Sequence, residues 1–110
     1  MASLTILYWR DIPSQVIVKQ GRKSAKRELT DRFIKAIDAA AMRSGASETD
    51  AYLADWRRAD AGPCGDDLEA EAQAAADRLE AEYDNARLAA LAALAGLVAL
   101  YWLLRVTPPR

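Results

Sequence analysis

Pro13 stands between two short runs that both read as β-strand, and this limits what the N-terminal half of the chain can become. Leu4-Thr5-Ile6-Leu7-Tyr8-Trp9 is β-branched and aromatic, and Gln15-Val16-Ile17-Val18-Lys19 resumes in the same style. Proline offers no ladder donor and pushes Ile12 toward an extended conformation, so the chain is expected to turn near residues 11–14. So short a connection predicts an antiparallel hairpin.

Gly21 ends the second strand, and Arg22-Lys23-Ser24-Ala25-Lys26-Arg27 follows as a basic run that reads as a solvated loop. Thr30 has the chemistry of a helix N-cap, with Asp31 in the first turn and Leu29 and Ile34 placed as a hydrophobic staple. Phe33, Ile37, Ala40, Ala41 and Ser44 share one face of that helix, and Gly45 closes it. Ala51–Arg58 fits two periods. A strand is preferred because two strands make too thin a sheet, and a short helix is the alternative. Gly62-Pro63-Cys64-Gly65 reads as a break.

From Asp66 a long helix is expected, with Asp66, Asp67, Glu69 and Glu71 near its N-terminus. Leu68, Ala72, Ala75, Leu79, Tyr83 and Ala86 mark its weakly apolar stripe, and no stop signal precedes the apolar tail. The fold class is therefore α+β: a small sheet of two or three strands packed by one or two helices. The long C-terminal helix is expected to continue into a single transmembrane segment. The predicted divisions are a head over 1–62, an acidic helix over 63–87 and a membrane helix over 88–106.

The net charge of −1 conceals a partition. Residues 1–60 carry 11 Lys/Arg against 8 Asp/Glu, while residues 61–87 carry 2 against 8. Histidine is absent, which removes the commonest general base and transition-metal ligand. The single Cys64 can form no internal disulfide, and without a histidine it is a poor nucleophile. Asp11, Asp38, Asp55 and Asp60 have no arranged partner at the spacing acid–base chemistry needs. No catalytic residue, cofactor or metal site is predicted, and the chain does not read as an enzyme. The N-terminus lacks the charged and apolar regions of a signal peptide, so export by that route is not expected.

Two sets of residues are candidates for binding. Arg10, Arg57 and Arg58, interleaved with Trp9, Tyr52 and Trp56, could grip an anionic or planar ligand; alternatively the aromatics are core and the arginines solvated. Arg22, Lys23, Lys26 and Arg27 could contact phosphates, though no nucleic-acid-binding signature accompanies them and nucleic acid is not expected as a partner.

Leu88–Leu104 is a run of 17 uncharged residues with leucine at every third position from Leu88 to Leu103, so its apolarity walks around the helix. At 1.5 Å per residue it is roughly 25 Å long, near the lower limit for a bilayer core. A helix apolar on all sides must be buried, in a bilayer or in a partner, and insertion is the preferred reading. Ala92 and Gly96 place small residues four apart, which would permit self-association in the membrane.

The blocks Tyr8-Trp9-Arg10-Asp11-Ile12-Pro13, Gln15-Val16-Ile17-Val18, Ala25-Lys26-Arg27 and Asp50-Ala51-Tyr52-Leu53-Ala54-Asp55-Trp56-Arg57 resemble the virulence factor domain family. These are short, mainly alphaproteobacterial proteins. The resemblance covers about residues 4–85 and implies a small cytoplasmic α/β domain without known catalytic residues. It also implies relatives that accompany one-carbon (folate and corrinoid methyl-transfer) enzymes. The apolar tail departs from the family pattern. The expected function is a non-catalytic interaction or scaffold domain at the cytoplasmic face of the bacterial inner membrane, bound to a protein partner. The alternatives are a soluble cytoplasmic accessory subunit of a one-carbon enzyme and an anionic-ligand-binding domain.

Overall fold

The computed structural model describes residues 2–45 and 49–94. Strands β1 (Ala2–Trp9), β2 (Ile12–Gln20), β3 (Lys23–Glu28) and β4 (Trp56–Cys64) form one antiparallel sheet in the order β3-β2-β1-β4. Helices α1 (Asp31–Arg43), α2 (Thr49–Ala54) and α3 (Leu68–Glu82) accompany it, and residues 85–94 form a further helix, α4. The chain is thus α+β, with four strands where two or three were expected.

The predicted hairpin is present, and Pro13 sits where its missing donor does no harm. Leu7 pairs with Gln15 and Tyr8 with Pro13, which leaves Ser14 as an extra, bulged residue. The Ser14 carbonyl instead accepts from the Leu29 N–H at 3.0 Å, tying the approach to α1 onto the sheet. Between the strands only Arg10 and Asp11 remain, and Arg10 takes a left-handed φ of 54°. A side chain with a Cβ resists that conformation. Asp55 holds it there: its carbonyl accepts from the Arg10 N–H at 3.1 Å and its carboxylate from Arg10 Nε at 3.0 Å.

Four segments take a different secondary structure from the one expected. The basic run is strand β3, because Ala25 turns into the core between exposed Ser24 and Lys26. Its lysines also suit an edge, where charge opposes further pairing. The preferred strand over Ala51–Arg58 divides into α2, which ends at Ala54, and β4, which begins at Trp56, with Asp55 between them engaged by Arg10. The expected break at Gly62–Gly65 lies mostly inside β4. Thr5 pairs with Asp60 and Leu4 with Gly62, so Ala61 is bulged, and Gly62 supplies the φ of 95° that follows.

The uninterrupted C-terminal helix is the fourth correction. Helix α3 ends at Glu82, and Tyr83 leaves helical geometry at φ −103° and ψ 78°. The Asp84 carboxylate then accepts from the Arg87 N–H at 2.8 Å and so caps α4 as a new helix.

Helix α1 buries Phe33, Ala36, Ile37, Ala40 and Ala41, the face its period predicted. Ser44 and Gly45, at φ 76°, close it. The staple is not realised, since Leu29 is buried but Ile34 is 44 % exposed. Thr30 occupies the N-cap position without a side-chain bond to its own helix; its N–H and hydroxyl both donate to the Glu80 carboxylate, at 2.7 and 2.9 Å. Arg32 reaches the same end of α3. It donates to the Glu80 carbonyl at 2.6 Å, to the Glu80 carboxylate at 2.9 Å and to the Tyr83 carbonyl. Helix α3 has no basic residue in its own last turn, so Arg32 supplies the cation that its C-terminus favours.

Ala2, Leu4, Val16, Val18 and Ala25 meet α1 and the Ala72, Ala75, Ala76 and Leu79 face of α3 in one core. Trp9, at 0 % exposure, anchors the other end of the sheet. Its Nε1–H donates to the Tyr52 carbonyl at 2.9 Å, and its ring stacks on Tyr52 at 5.8 Å. Tyr52 in turn meets the edge of Trp56 at 5.8 Å, and Trp56 is only partly buried.

Trp9→Ala is therefore expected to destabilise the chain by about 3–5 kcal/mol in urea melts, and Trp56→Ala by less. A Trp56→Ala loss equal to that of Trp9→Ala would show that this ranking is wrong.

A second expectation concerns Glu80. Burial alone would raise its pKa, but the Thr30 N–H, the Thr30 hydroxyl and the Arg32 guanidinium together hold it below the ordinary carboxylate range. Its contribution is thus present above the ordinary glutamate value of about 4.3 and lost as pH falls through the lower folded value. Glu80→Gln should cost about 1–2 kcal/mol at neutral pH, with the gap from the parent closing in acid. Paired melts at pH 7 and pH 3 check this; a gap that is unchanged at pH 3 refutes it.

Candidate functional site

Strand alternation separates residues that are neighbours in sequence. In β4, Arg58 lies over the sheet face carrying Ser3, Thr5, Ile17, Lys19 and Asp60. Arg57 turns to the other side, into a cleft of about 420 Å³ lined by Tyr8, Asp11, Ala59, Tyr83, Arg87 and Leu91. This cleft forms where the β1–β4 pair meets the joint between α3 and α4.

Two arginines in the cleft are held in the same manner. The Arg57 guanidinium lies over the Tyr8 ring at 4.5 Å, and that of Arg87 over the Tyr83 ring at 4.0 Å. Arg57 Nε donates to the Arg10 carbonyl at 3.1 Å, and Arg87 Nη1 to the Glu82 carbonyl at 3.1 Å. Each side chain is thus oriented by an aromatic face and a main-chain acceptor, with further N–H groups remaining on each guanidinium. Asp11 is the carboxylate that lines the cleft. It is 3.8 Å from Arg57, at the limit of an ion pair, and its side chain is 81 % exposed. Burial raises the Tyr8 pKa, Tyr83 and Glu82 add to that, and Arg57 opposes it, so the Tyr8 phenol keeps its proton at neutral pH.

The other candidate residues are dispersed. Arg10 is tied to Asp55 and lies over the Trp9 ring at 4.9 Å, which makes it part of the hairpin turn. Arg27 is engaged by Glu69 and by Gln73 at 3.0 Å, joining β3 to α3. Arg22 and Lys23 are exposed at the β2–β3 turn, and Lys26 is exposed on β3 opposite Ile17. Arg22, Lys23, Lys26 and Arg27 therefore do not make one patch. Tyr8, Tyr83 and Arg87, three of the cleft's main components, were not among the sequence candidates. An arginine four residues after Tyr83 is a helix-spacing signal that was available, but the break at Asp84 gives it a different geometry.

Burial pushes the Cys64 thiol up, and the Glu71 and Asp66 carboxylates add to this, so the thiolate a nucleophile requires is disfavoured. Among the described residues no group of three His, Cys, Asp or Glu side chains is placed to hold a metal ion.

Among the described residues no helix is long and apolar enough to cross a membrane. The predicted membrane segment falls mainly outside the described residues, as does Gly96 of the proposed self-association pair. Its first turns are described, and they belong to the head: Leu88 is 3 % and Ala92 4 % exposed, both within the core.

A sequence model of the family described as "Virulence factor" matches residues 7–92, from the first strand to the Ala92 turn of α4. No curated protein matches the chain, and no solved structure does.

Proposed function

We propose that this chain, which belongs to the virulence factor family, is a non-catalytic interaction domain that grips its partner through the arginine–tyrosine cleft. One observation carries the reading: Arg57 and Arg87, from separate elements, are each held over a tyrosine ring at the mouth of the same cleft. Side chains fixed in this way lose little freedom on binding, and arginine and tyrosine are the residue types that dominate interface energetics.

The apolar tail would hold the domain in place, either at the cytoplasmic face of the inner membrane or in a partner protein. The packing of Leu88 and Ala92 favours the partner. With those turns committed to the head, residues 93–104 are the uncharged remainder. As a helix that remainder is about 18 Å long, well short of a bilayer core of roughly 30 Å. This favours the accessory-subunit reading over a single-pass anchor.

The neighbouring arginines provide the test. In co-purification from the native cell, Arg57→Ala should lose the bound partner while Arg58→Ala, on the opposite sheet face, retains it. Both variants should keep the parent stability within about 0.5 kcal/mol, as exposed positions usually do. Equal retention, or equal loss, removes the cleft reading. Carbonate washing of the membrane fraction decides the tail: release of the chain with its partner favours burial in protein, and resistance favours lipid.

A further inference from the structure

The chemistry of the cleft points to a more specific ligand, and this step rests on the cleft being the contact surface. We infer that the Arg57–Arg87 cleft receives a phosphate monoester.

A carboxylate is planar and presents two oxygens, so one guanidinium can satisfy it with two parallel bonds. Here two guanidiniums line one cleft from different elements, Arg57 from the edge strand β4 and Arg87 from the first turn of α4. Their directions are fixed separately, by Tyr8 and the Arg10 carbonyl on one side and by Tyr83 and the Glu82 carbonyl on the other. An acceptor that serves both must offer oxygens pointing in different directions. A tetrahedral phosphoryl group has three terminal oxygens and nearly two charges, and it meets that demand. Asp11 displays the alternative: a carboxylate already beside the cleft reaches Arg57 alone, at 3.8 Å, and stays largely in solvent.

Of the nearby acidic groups, the Asp84 carboxylate accepts from the Arg87 main-chain N–H, and Glu82 lies outside the lining, where its charge acts on Tyr8. The Tyr8 phenol adds a neutral polar group to the lining. Ala59, Leu91 and the two tyrosine rings give the wall an apolar part, suited to the body that carries the phosphate. The volume of about 420 Å³ lies in the range of small-ligand sites. The same chemistry could arrive on a small organic phosphate or on a phosphorylated side chain of the partner.

Titration of the full-length chain with phenyl phosphate, followed by amide NMR and calorimetry, tests the inference against benzoate as the carboxylate of matching shape. Phenyl phosphate should bind and shift the resonances of residues 8, 57, 83 and 87, and benzoate should bind at least about tenfold more weakly. Arg57→Gln and Arg87→Gln should each weaken phenyl phosphate by about tenfold or more, the loss expected for a charge-assisted hydrogen-bond pair. Arg58→Gln should leave it unchanged. Thermal melts check that the variants remain folded, and Arg57→Lys, which keeps the charge but not the fork, should recover only part of the affinity. A phosphotyrosine peptide that binds more tightly than phenyl phosphate assigns the group to a protein partner; equal affinity assigns it to a small molecule. Benzoate binding as well as phenyl phosphate, or no phenyl phosphate binding, overturns the inference. If partner capture still depends on Arg57 in that case, the interaction reading survives alone. If phenyl phosphate binds but capture ignores Arg57, the phosphate site stands and the interaction reading falls.

Discussion

The architecture depends on what one guanidinium does at the end of α3. Arg32, in the first turn of α1, lies over the neighbouring Phe33 ring at 4.6 Å and takes the Glu80 and Tyr83 carbonyls and the Glu80 carboxylate. Those carbonyls are among the four that any helix leaves without an internal partner. By supplying the donors from outside, Arg32 satisfies the end of α3, and Thr30 adds its N–H and hydroxyl to the same carboxylate. The start of α1 and the end of α3 are thereby locked together, with Phe33 and Tyr83 in contact at 6.1 Å. This lock places Tyr83, and Tyr83 places Arg87. The cleft is a product of how α3 ends.

Much of the fold was legible in the sequence, and the exceptions have physical reasons. The Pro13 hairpin and the α1 core face could be read because local rules decide them: a missing donor in one case, a period of 3.6 residues in the other. Strand β3 was hidden because its outward residues are Ser24, Lys26 and Glu28, and Ala25 is the one apolar residue on the inward side, which it shares with Arg27. The Gly62–Gly65 segment looks like a turn because bulges and turns draw on the same residues. The break at Asp84 was missed although aspartate is an N-cap type, because Arg32, which holds the end of α3, lies about fifty positions earlier in the chain.

The candidate site was legible by half. Arg57 was singled out, but so were Arg10 and Arg58, and sequence gives no means of choosing among three arginines near aromatic residues. The structure chooses by strand period and by a turn. Arg10 is consumed in holding its own left-handed backbone against Asp55, Arg58 faces the other side of the sheet, and Arg57 alone meets Tyr8. Tyr83 and Arg87 belong to a helix end and a helix start that the sequence presents as one continuous helix.

The junction at Asp84 also makes the domain sensitive to tension. A force applied to the chain beyond residue 94 passes along α4 and reaches the head at Leu88 and Ala92, which are packed in its core. From there it meets the Tyr83 carbonyl held by Arg32, with the cleft arginine Arg87 lying between the two. Pulling α4 away would bear first on the turn that carries Arg87. The placement of Arg87 in the cleft and the seating of α4 on the core are therefore connected through a single turn of backbone.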